Sequence, residues 1–291
     1  IVGATGNVGR KMLEVLEQKK LLIDQLYLVA SAKSAGQKIS FNGREYEVYN
    51  LETYDFSKAE ITFFAAGGKI SKEYAEKASK HTTIIDNSSF FRMDPEVPLI
   101  VPQVNSRDLS NIKKNIIANP NCSTAQLVLI LKPLHDLFNI KRVVISTYQS
   151  TSGAGKAPMD ELVEQTKLLL ENKKVISKNF TKQIAFNAIP HIDVFADDGY
   201  TKEELKMVNE TKKILDSKIK ITATCVRVPV MTSHSESINV EFEKPFDIKK
   251  VKDILSKTEG CKVLDERKNG GYITPLEAEN SYMTFVSRIR K

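Results

Sequence analysis

The 291-residue chain is 41% hydrophobic with a formal charge of +7, enough apolar content for two ordinary cores and too much for a disordered or fibrous protein. The basic excess is spread along the chain without a basic cluster interleaved with aromatics, which argues against nucleic acid as a partner, and no run of about 18 apolar residues could span a membrane. Three cysteines, Cys122, Cys225 and Cys261, form no CxxC pair and no zinc-type spacing with histidine, so neither a disulfide framework nor a metal site is supported and a reducing, cytoplasmic setting is expected.

The chain opens at "IVGATG", which reads as the end of a strand, so a few residues are expected to precede it. The next stretch, "VGRKMLEVLEQKK", carries Val8, Met12, Val15 and Leu16 at helical spacing, and "QLYLVAS" is extended again. "KISFNGREYEVYN" reads as a hairpin turning at Asn42-Gly43, followed by the buried strand "ITFFAA", the helix "SKEYAEKAS" and the strand "TTIID". This alternation predicts an α/β Rossmann-type domain, a parallel sheet with helices on both faces, over about residues 1–121. Beyond it, residues 122–291 read as an α+β domain with a mixed, largely antiparallel sheet. Its helices are expected over 123–137 and 158–171, with another opened by a capping box from Thr201 to Glu204. "KITATCVRVPV" and "ESINVEFE" alternate like neighbouring antiparallel strands, "DIKKVKDILSK" is an amphipathic helix, and "YMTFVSRIR" is a final strand.

The segment Gly3-Ala4-Thr5-Gly6-Asn7-Val8-Gly9 is a GxxGxxG variant between a strand and a helix. There the glycines allow a tight turn and the approach of a pyrophosphate to the helix N-terminus; a glycine-rich turn without a ligand is the plainer alternative. An NAD-preferring fold places a carboxylate about 20 residues further on. The matching stretch, "ASAKSAG", offers Ser31, Lys33 and Ser34 instead, which suits a 2′-phosphate and hence NADP, or else is a polar surface loop. In "NPNCST", Cys122 stands where a strand hands over to a helix. Backbone N–H groups and the helix dipole favour its thiolate there, so its pKa is expected to fall toward neutrality, ready to attack a carbonyl and hold an acyl group as a thioester. A buried structural cysteine is the alternative.

"GATGNVG", "DNSSFFRMD", "NPNCST", "YQSTSGAGK", "RVPVMTSHSES" and "FVSRIRK", in this order along nearly the whole chain, closely resemble the aspartate-β-semialdehyde dehydrogenases. The resemblance implies reductive dephosphorylation of L-aspartyl-4-phosphate by NADPH, in the biosynthesis of lysine and diaminopimelate, threonine and methionine. It implies a homodimer built through a catalytic and dimerisation domain, with a small-molecule substrate as the partner. Cys122 is then the nucleophile, Gln149 orients the intermediate, and His234 is an acid/base of near-neutral pKa. Arg227 grips the substrate carboxylate and Arg92 the phosphate, while Glu210 and Lys213 take the ammonium and the phosphate. Asn121 helps to stabilise the oxyanion beside the nucleophile. NADP falls to Gly3, Thr5, Gly6, Asn7, Val8, Ser31, Lys33, Ser34, Gly67, Ser152, Gly153 and Gly155. His81, His135 and His191 read as structural, Cys225 as core and Cys261 as part of a turn. Two positions depart from the family, Lys33 for an arginine and Ser287 for a glycine, and the chain stops at Lys291, short of the C-terminal helix that the family packs onto its cofactor domain. N-acetylglutamyl-phosphate reductase and glyceraldehyde-phosphate dehydrogenase share the cysteine chemistry, and a catalytically silent paralogue would share the fold. The spacing from Arg227 to His234 and the "YQSTSGAGK" loop argue against the first two, and the joint retention of Cys122, Gln149, Arg227 and His234 argues against the third.

Overall fold

Residues 1–291 are described by the computed structural model, and they divide into two units, Ile1–Pro120 and Asn121–Lys291. The first contains α1 (Asn7–Lys19), β1 (Leu28–Ala30), β2 (Lys38–Phe41), β3 (Arg44–Asn50), β4 (Ile61–Phe64), α2 (Gly68–Ala78), β5 (Thr83–Asp86), α3 (Pro102–Asn105) and β6 (Ile116–Ala118). β1 pairs in parallel with β3, β4 with β5, and β5 with β6, while Val2 bridges Val29 on one side and Phe64 on the other. The parallel order is therefore β3, β1, Val2, β4, β5, β6. The first extended segment lies at the centre and the chain winds outward in both directions, which leaves the switch point of a doubly wound sheet at Val2–Gly3. Strands covered on both faces need apolar residues throughout, and Leu28, Phe64, Ile84 and Ile116 are fully buried. β2 joins β3 through the expected hairpin, with Asn42 at φ 48° and Gly43 at φ 72°, the two left-handed residues of a type I′ turn.

Two of the N-terminal glycines have no substitute. Gly3 sits at φ +84°, and a Cβ there would lie 2.8 Å from the Ala65 carbonyl carbon; a Cβ on Gly9 would come within 2.2 Å of the Gly3 oxygen. Close backbone packing at these two points lets α1 start immediately after the central strand, with Gly6 as its N-cap.

The second unit runs α4 (Cys122–Phe138), β7 (Ile140–Gln149), α5 (Lys156–Leu170), α6 (Lys202–Ile214), β8 (Lys220–Arg227), β9 (Ser235–Phe242), α7 (Ile248–Lys257), β10 (Cys261–Val263), α8 (Pro275–Ala278) and β11 (Thr284–Val286). α4 buries Leu127, Leu131, Leu134 and Phe138 at spacings of three and four, and this apolar stripe carries the helix through Pro133. The sheet is mixed, with β7 between β8, which is parallel to it, and β9, which is antiparallel. β8 and β9 are thus opposite in direction but not neighbours as their sequences implied: alternation reports which face a strand buries, not which strand it pairs with. Leu127 and Leu131 of α4, Met207 of α6 and Val143 and Ile145 of β7 form one core over this sheet.

Cys261 begins β10, buried and paired with Thr284 of β11, where a turn was expected; Gly260, at φ 79°, makes the turn just before it. Ser287, in the place of the family's glycine, donates its hydroxyl to the Leu264 carbonyl at 2.7 Å and accepts from the Ile273 amide at 3.2 Å, so it joins the β10–β11 layer to the loop before α8. No helix is long and apolar enough to cross a membrane.

Candidate active site

Strand direction brings the chemical groups of the second unit to one end of its sheet. Parallel pairing sets Gln149, the last residue of β7, beside Arg227, the last of β8, and the antiparallel β9 starts opposite Tyr148, so His234 arrives at the same end. Cys122 is the first residue of α4, with its side chain exposed and its Sγ 4.0 Å from the Asn121 Oδ1. Asn121 caps that helix, its Oδ1 accepting from the Ser123 amide at 3.0 Å.

Gln149 is almost fully buried and donates from Nε2 to the Ser123 Oγ at 2.8 Å and to the Glu203 Oε1 at 3.2 Å. With both amide hydrogens committed, its Oε1 is the group left to accept from a ligand. Glu203, on the first turn of α6, also accepts from the Asn121 Nδ2 at 2.9 Å and pairs with Lys206 at 3.0 Å. Burial works against its charged form. Lys206 and the hydrogen bonds from Asn121 and Gln149 outweigh it, and the carboxyl is held below its ordinary range.

Arg227 is buried and donates to the Ser150 carbonyl at 2.6 Å, which fixes the guanidinium. Burial lowers its pKa, while the charges on Glu203 and Cys122 act in the opposite sense. The His234 Nδ1 accepts from the Ser150 amide at 3.0 Å, so the neutral ring carries its proton on Nε2. Burial and the adjacent Arg227 push its pKa down to about 4, well below the near-neutral value its residue type suggested. His234 is accordingly a neutral hydrogen-bond donor. It follows Ser233, which holds a left-handed φ of 69° that turns the chain into β9.

Gly153, expected to face the cofactor, packs against this cluster. A Cβ there would lie 3.1 Å from the His234 Cε1 and 3.2 Å from the Arg227 Nη1. Gly153→Ala is therefore expected to lower kcat by roughly 10- to 100-fold through displacement of these two side chains, with an unchanged thermal midpoint. Steady-state rates beside a melting curve check this. Ser152 and Gly155 lie in the same loop between β7 and α5, the Ser152 Oγ 3.0 Å from the Ser150 Oγ and Gly155 at φ +108°.

The helix that carries the expected Glu210 and Lys213 presents a different pair to the cluster. Glu203 and Lys206 have the same i, i+3 spacing, and it is Glu203 that reaches Gln149 and Asn121. Glu210 is buried two turns later and accepts from the Asn121 backbone amide at 2.6 Å, while Lys213 is partly exposed. The Asn121 N–H is therefore engaged by Glu210, where an oxyanion contact was expected of this residue. Glu203 and Lys206 were missed by the sequence reading, although the capping box that starts their helix is present as expected, with Thr201 and Glu204 bonding reciprocally.

In the first unit, Gly6, Asn7 and Val8 are exposed at the N-terminus of α1, and Thr5 is partly exposed beside them. Gly67, at φ +86° with open space where a Cβ would be, caps α2 just after β4, the neighbour of the central Val2. Two helix N-termini without side chains at their caps thus follow adjacent strands, a fit for a dinucleotide's phosphates. Ser31, Lys33 and Ser34 form a short turn after β1, with Lys33 exposed. Arg92 is buried, donating from Nε to the Asn119 carbonyl at 2.8 Å and from Nη2 to the Asn87 carbonyl at 3.1 Å. Among the remaining histidines, the His135 Nδ1 accepts from the Ile140 amide at 3.0 Å and His191 stacks on Phe195 with ring centroids 4.3 Å apart.

Residues 1–112 match the family described as semialdehyde dehydrogenase, NAD binding domain, and residues 131–291 match semialdehyde dehydrogenase, dimerisation domain. An aspartate-semialdehyde dehydrogenase of Aquifex aeolicus is 51% identical over 100% of this chain and 87% of its own length. The crystal structure of aspartate semialdehyde dehydrogenase II from Vibrio cholerae superposes with a TM-score of 0.96 at 45% identity, covering 99% of this chain and 87% of that one. A structure of the Candida albicans enzyme with NADP gives a TM-score of 0.73 at 25% identity, over 99% of this chain and 88% of that one.

Proposed function

The chain belongs to the aspartate-semialdehyde dehydrogenases, and on that premise we propose that its second unit converts L-aspartyl 4-phosphate to L-aspartate 4-semialdehyde through a thioester on Cys122. The activity is that of an oxidoreductase in amino-acid biosynthesis, at the branch leading to lysine and diaminopimelate, threonine and methionine. The observation that carries the site assignment is the hydrogen-bonded cluster in which the helix of Cys122, Gln149 and Glu203 share partners beside Arg227 and His234.

The Cys122 thiolate attacks the carbonyl carbon of the acyl phosphate, forming the C–S bond, and the acyl C–O bond breaks with its electron pair leaving on phosphate. The buried Arg227 guanidinium takes the α-carboxylate as a fork. Glu203, kept ionised by Lys206, takes the α-ammonium, and Lys206 supplies a cation for the phosphate. Glu203 and Lys206 thereby replace Glu210 and Lys213 in these roles. His234 offers its Nε2–H to the oxygen that becomes anionic, and Gln149 accepts from the intermediate through Oε1. When bound, the nicotinamide cofactor supplies the hydride that reduces the thioester.

Gly3, Thr5, Gly6, Asn7, Val8 and Gly67 would hold that cofactor in the first unit. Ser31, Lys33 and Ser34, with no carboxylate among them, favour NADP over NAD. Lys33→Ala is accordingly expected to raise the KM for NADPH about 10-fold, the worth of one charge-assisted contact, and to leave that for NADH unchanged. Paired titrations of the two cofactors measure it. The units serve as an NADP-binding domain and a catalytic, dimer-forming domain of a cytoplasmic homodimer. The functional reading is tested by a substrate panel. Turnover of aspartyl phosphate, and not of N-acetylglutamyl phosphate or bisphosphoglycerate, is expected, whereas preference for either alternative overturns it.

A further inference from the structure

One row below the catalytic residues lies a second polar row that the reaction does not use. Thr147 of β7 pairs in register with Cys225 of β8 on one side and with Glu236 of β9 on the other, two residues before Gln149 and Arg227 and two after His234. Glu236 accepts from the Gln126 Nε2 at 2.7 Å, and Gln126 stands one turn after Cys122 on α4. The other carboxyl oxygen, Oε2, is buried and has no hydrogen-bond partner, while the Thr147 hydroxyl, also buried, has the Cys225 thiol as its side-chain partner and keeps its oxygen lone pairs open to accept. A buried carboxylate with one amide donor and no cation is costly, whereas the neutral acid has a proton to donate and an open acceptor at the paired position.

We propose that Glu236 is a positioning residue acting as a neutral carboxylic acid. It accepts from Gln126 and donates to the Thr147 Oγ1 at the paired position, so that the nucleophile's helix is tied to the strands that carry Gln149 and His234. The inference rests on the catalytic reading above for its effect on rate, but the state of the carboxyl can be read without any turnover.

The surroundings agree with a protonated acid. Gln126 faces it from α4 and Thr147 from β7, Cys225 lies across Thr147 on β8 with Glu203 and Glu204 of α6 nearby, and His234 is on its own strand. Burial pushes the Cys225 thiol up to about 12 and His234 down to about 4, so neither is charged at neutral pH. Burial raises Glu236 from 4.5 to about 8, against the pull of the Gln126 hydrogen bond. The sign follows from the raised value. The contribution to stability is fully present below pH 4.5, and it is lost as pH rises toward and through about 8, because the unfolded chain releases a proton that the folded one keeps.

The test uses the intact protein with Glu236→Gln, which keeps a neutral acceptor and donor, and Glu236→Ala, which keeps neither. Infrared difference spectra of the wild type minus Glu236→Gln are expected to show a protonated-carboxyl C=O stretch at pH 7 that titrates away near pH 8. The urea midpoint of the wild type should fall relative to Glu236→Gln between pH 5 and pH 8. Glu236→Ala should lower kcat by roughly 10- to 100-fold at nearly constant KM, as a displaced site would. Glu236→Gln should recover the rate, and the fall in rate expected of the wild type as Glu236 ionises above about pH 8 should be absent from it. If Glu236→Ala does not fold, Gln126→Leu cuts the same tie from α4 and is expected to lower kcat likewise. Absence of the infrared band at neutral pH, an unchanged kcat in the truncated variant, or a glutamine variant no better than alanine would overturn the proposal. A protein with the band but no aspartyl-phosphate turnover would instead count against the catalytic reading alone.

Discussion

Replacing Cys122 by serine is expected to lower kcat by about 10³-fold or more, because a hydroxyl at this helix N-terminus remains protonated and attacks far more slowly than a thiolate. The fold should not notice the change. Cys122 is exposed, and the helix that it opens is capped by Asn121 and buried through Leu127 and Leu131, so the expected stability change is within about 0.5 kcal/mol. Turnover measured beside a melting curve separates the two effects. A serine variant that kept a tenth of the rate would mean that the acyl group is not carried by this residue.

Arg227→Leu carries the next largest expected loss, a fall in kcat/KM of about 10³-fold, from the roughly 4 kcal/mol typical of truncating one partner of a buried charged contact. The guanidinium is buried, is fixed by the Ser150 carbonyl and stands in register beside Gln149, so nothing nearby can substitute for its fork. Most of the loss is expected in KM for the substrate, with KM for the cofactor unchanged. Arg227→Lys should rescue little of it, because an ammonium cannot make two parallel bonds to a carboxylate. Initial rates with each substrate varied in turn provide the check.

What could be read in the sequence, and what could not, follows from the range of the forces involved. The glycines at 3, 6 and 9 were legible because their constraint is local: Gly3 and Gly9 leave no room for a Cβ against backbone atoms of the same turn and the adjacent strand. The Asn42-Gly43 hairpin and the Thr201–Glu204 box were legible for the same reason. Sheet order was not. β8 and β9 show alternation, and only the assembled unit reveals that β7 lies between them.

The choice between two Glu-x-x-Lys pairs on α6 shows the limit most clearly. Glu203 and Glu210 are seven residues apart, two helical turns that return to within about 20° of the same face, so spacing could not say which carboxylate meets Gln149. The axial position decided it, with Glu203 in the first turn reaching Gln149 and the Asn121 side chain while Glu210 reaches the Asn121 amide. The depressed pKa of His234 was equally out of reach, because it arises from burial and from Arg227, a neighbour brought in by another strand.

Single-turnover measurement of NADPH formation from aspartate semialdehyde and NADP tests the central claim, a thioester on Cys122, most directly. Without phosphate, the expected result is a burst of one NADPH per site that then stops, with a mass increase on the peptide containing Cys122; added phosphate should release the acyl group and restore continuous turnover. Steady phosphate-independent NADPH formation, or a burst that survives in Cys122→Ala, would contradict the account.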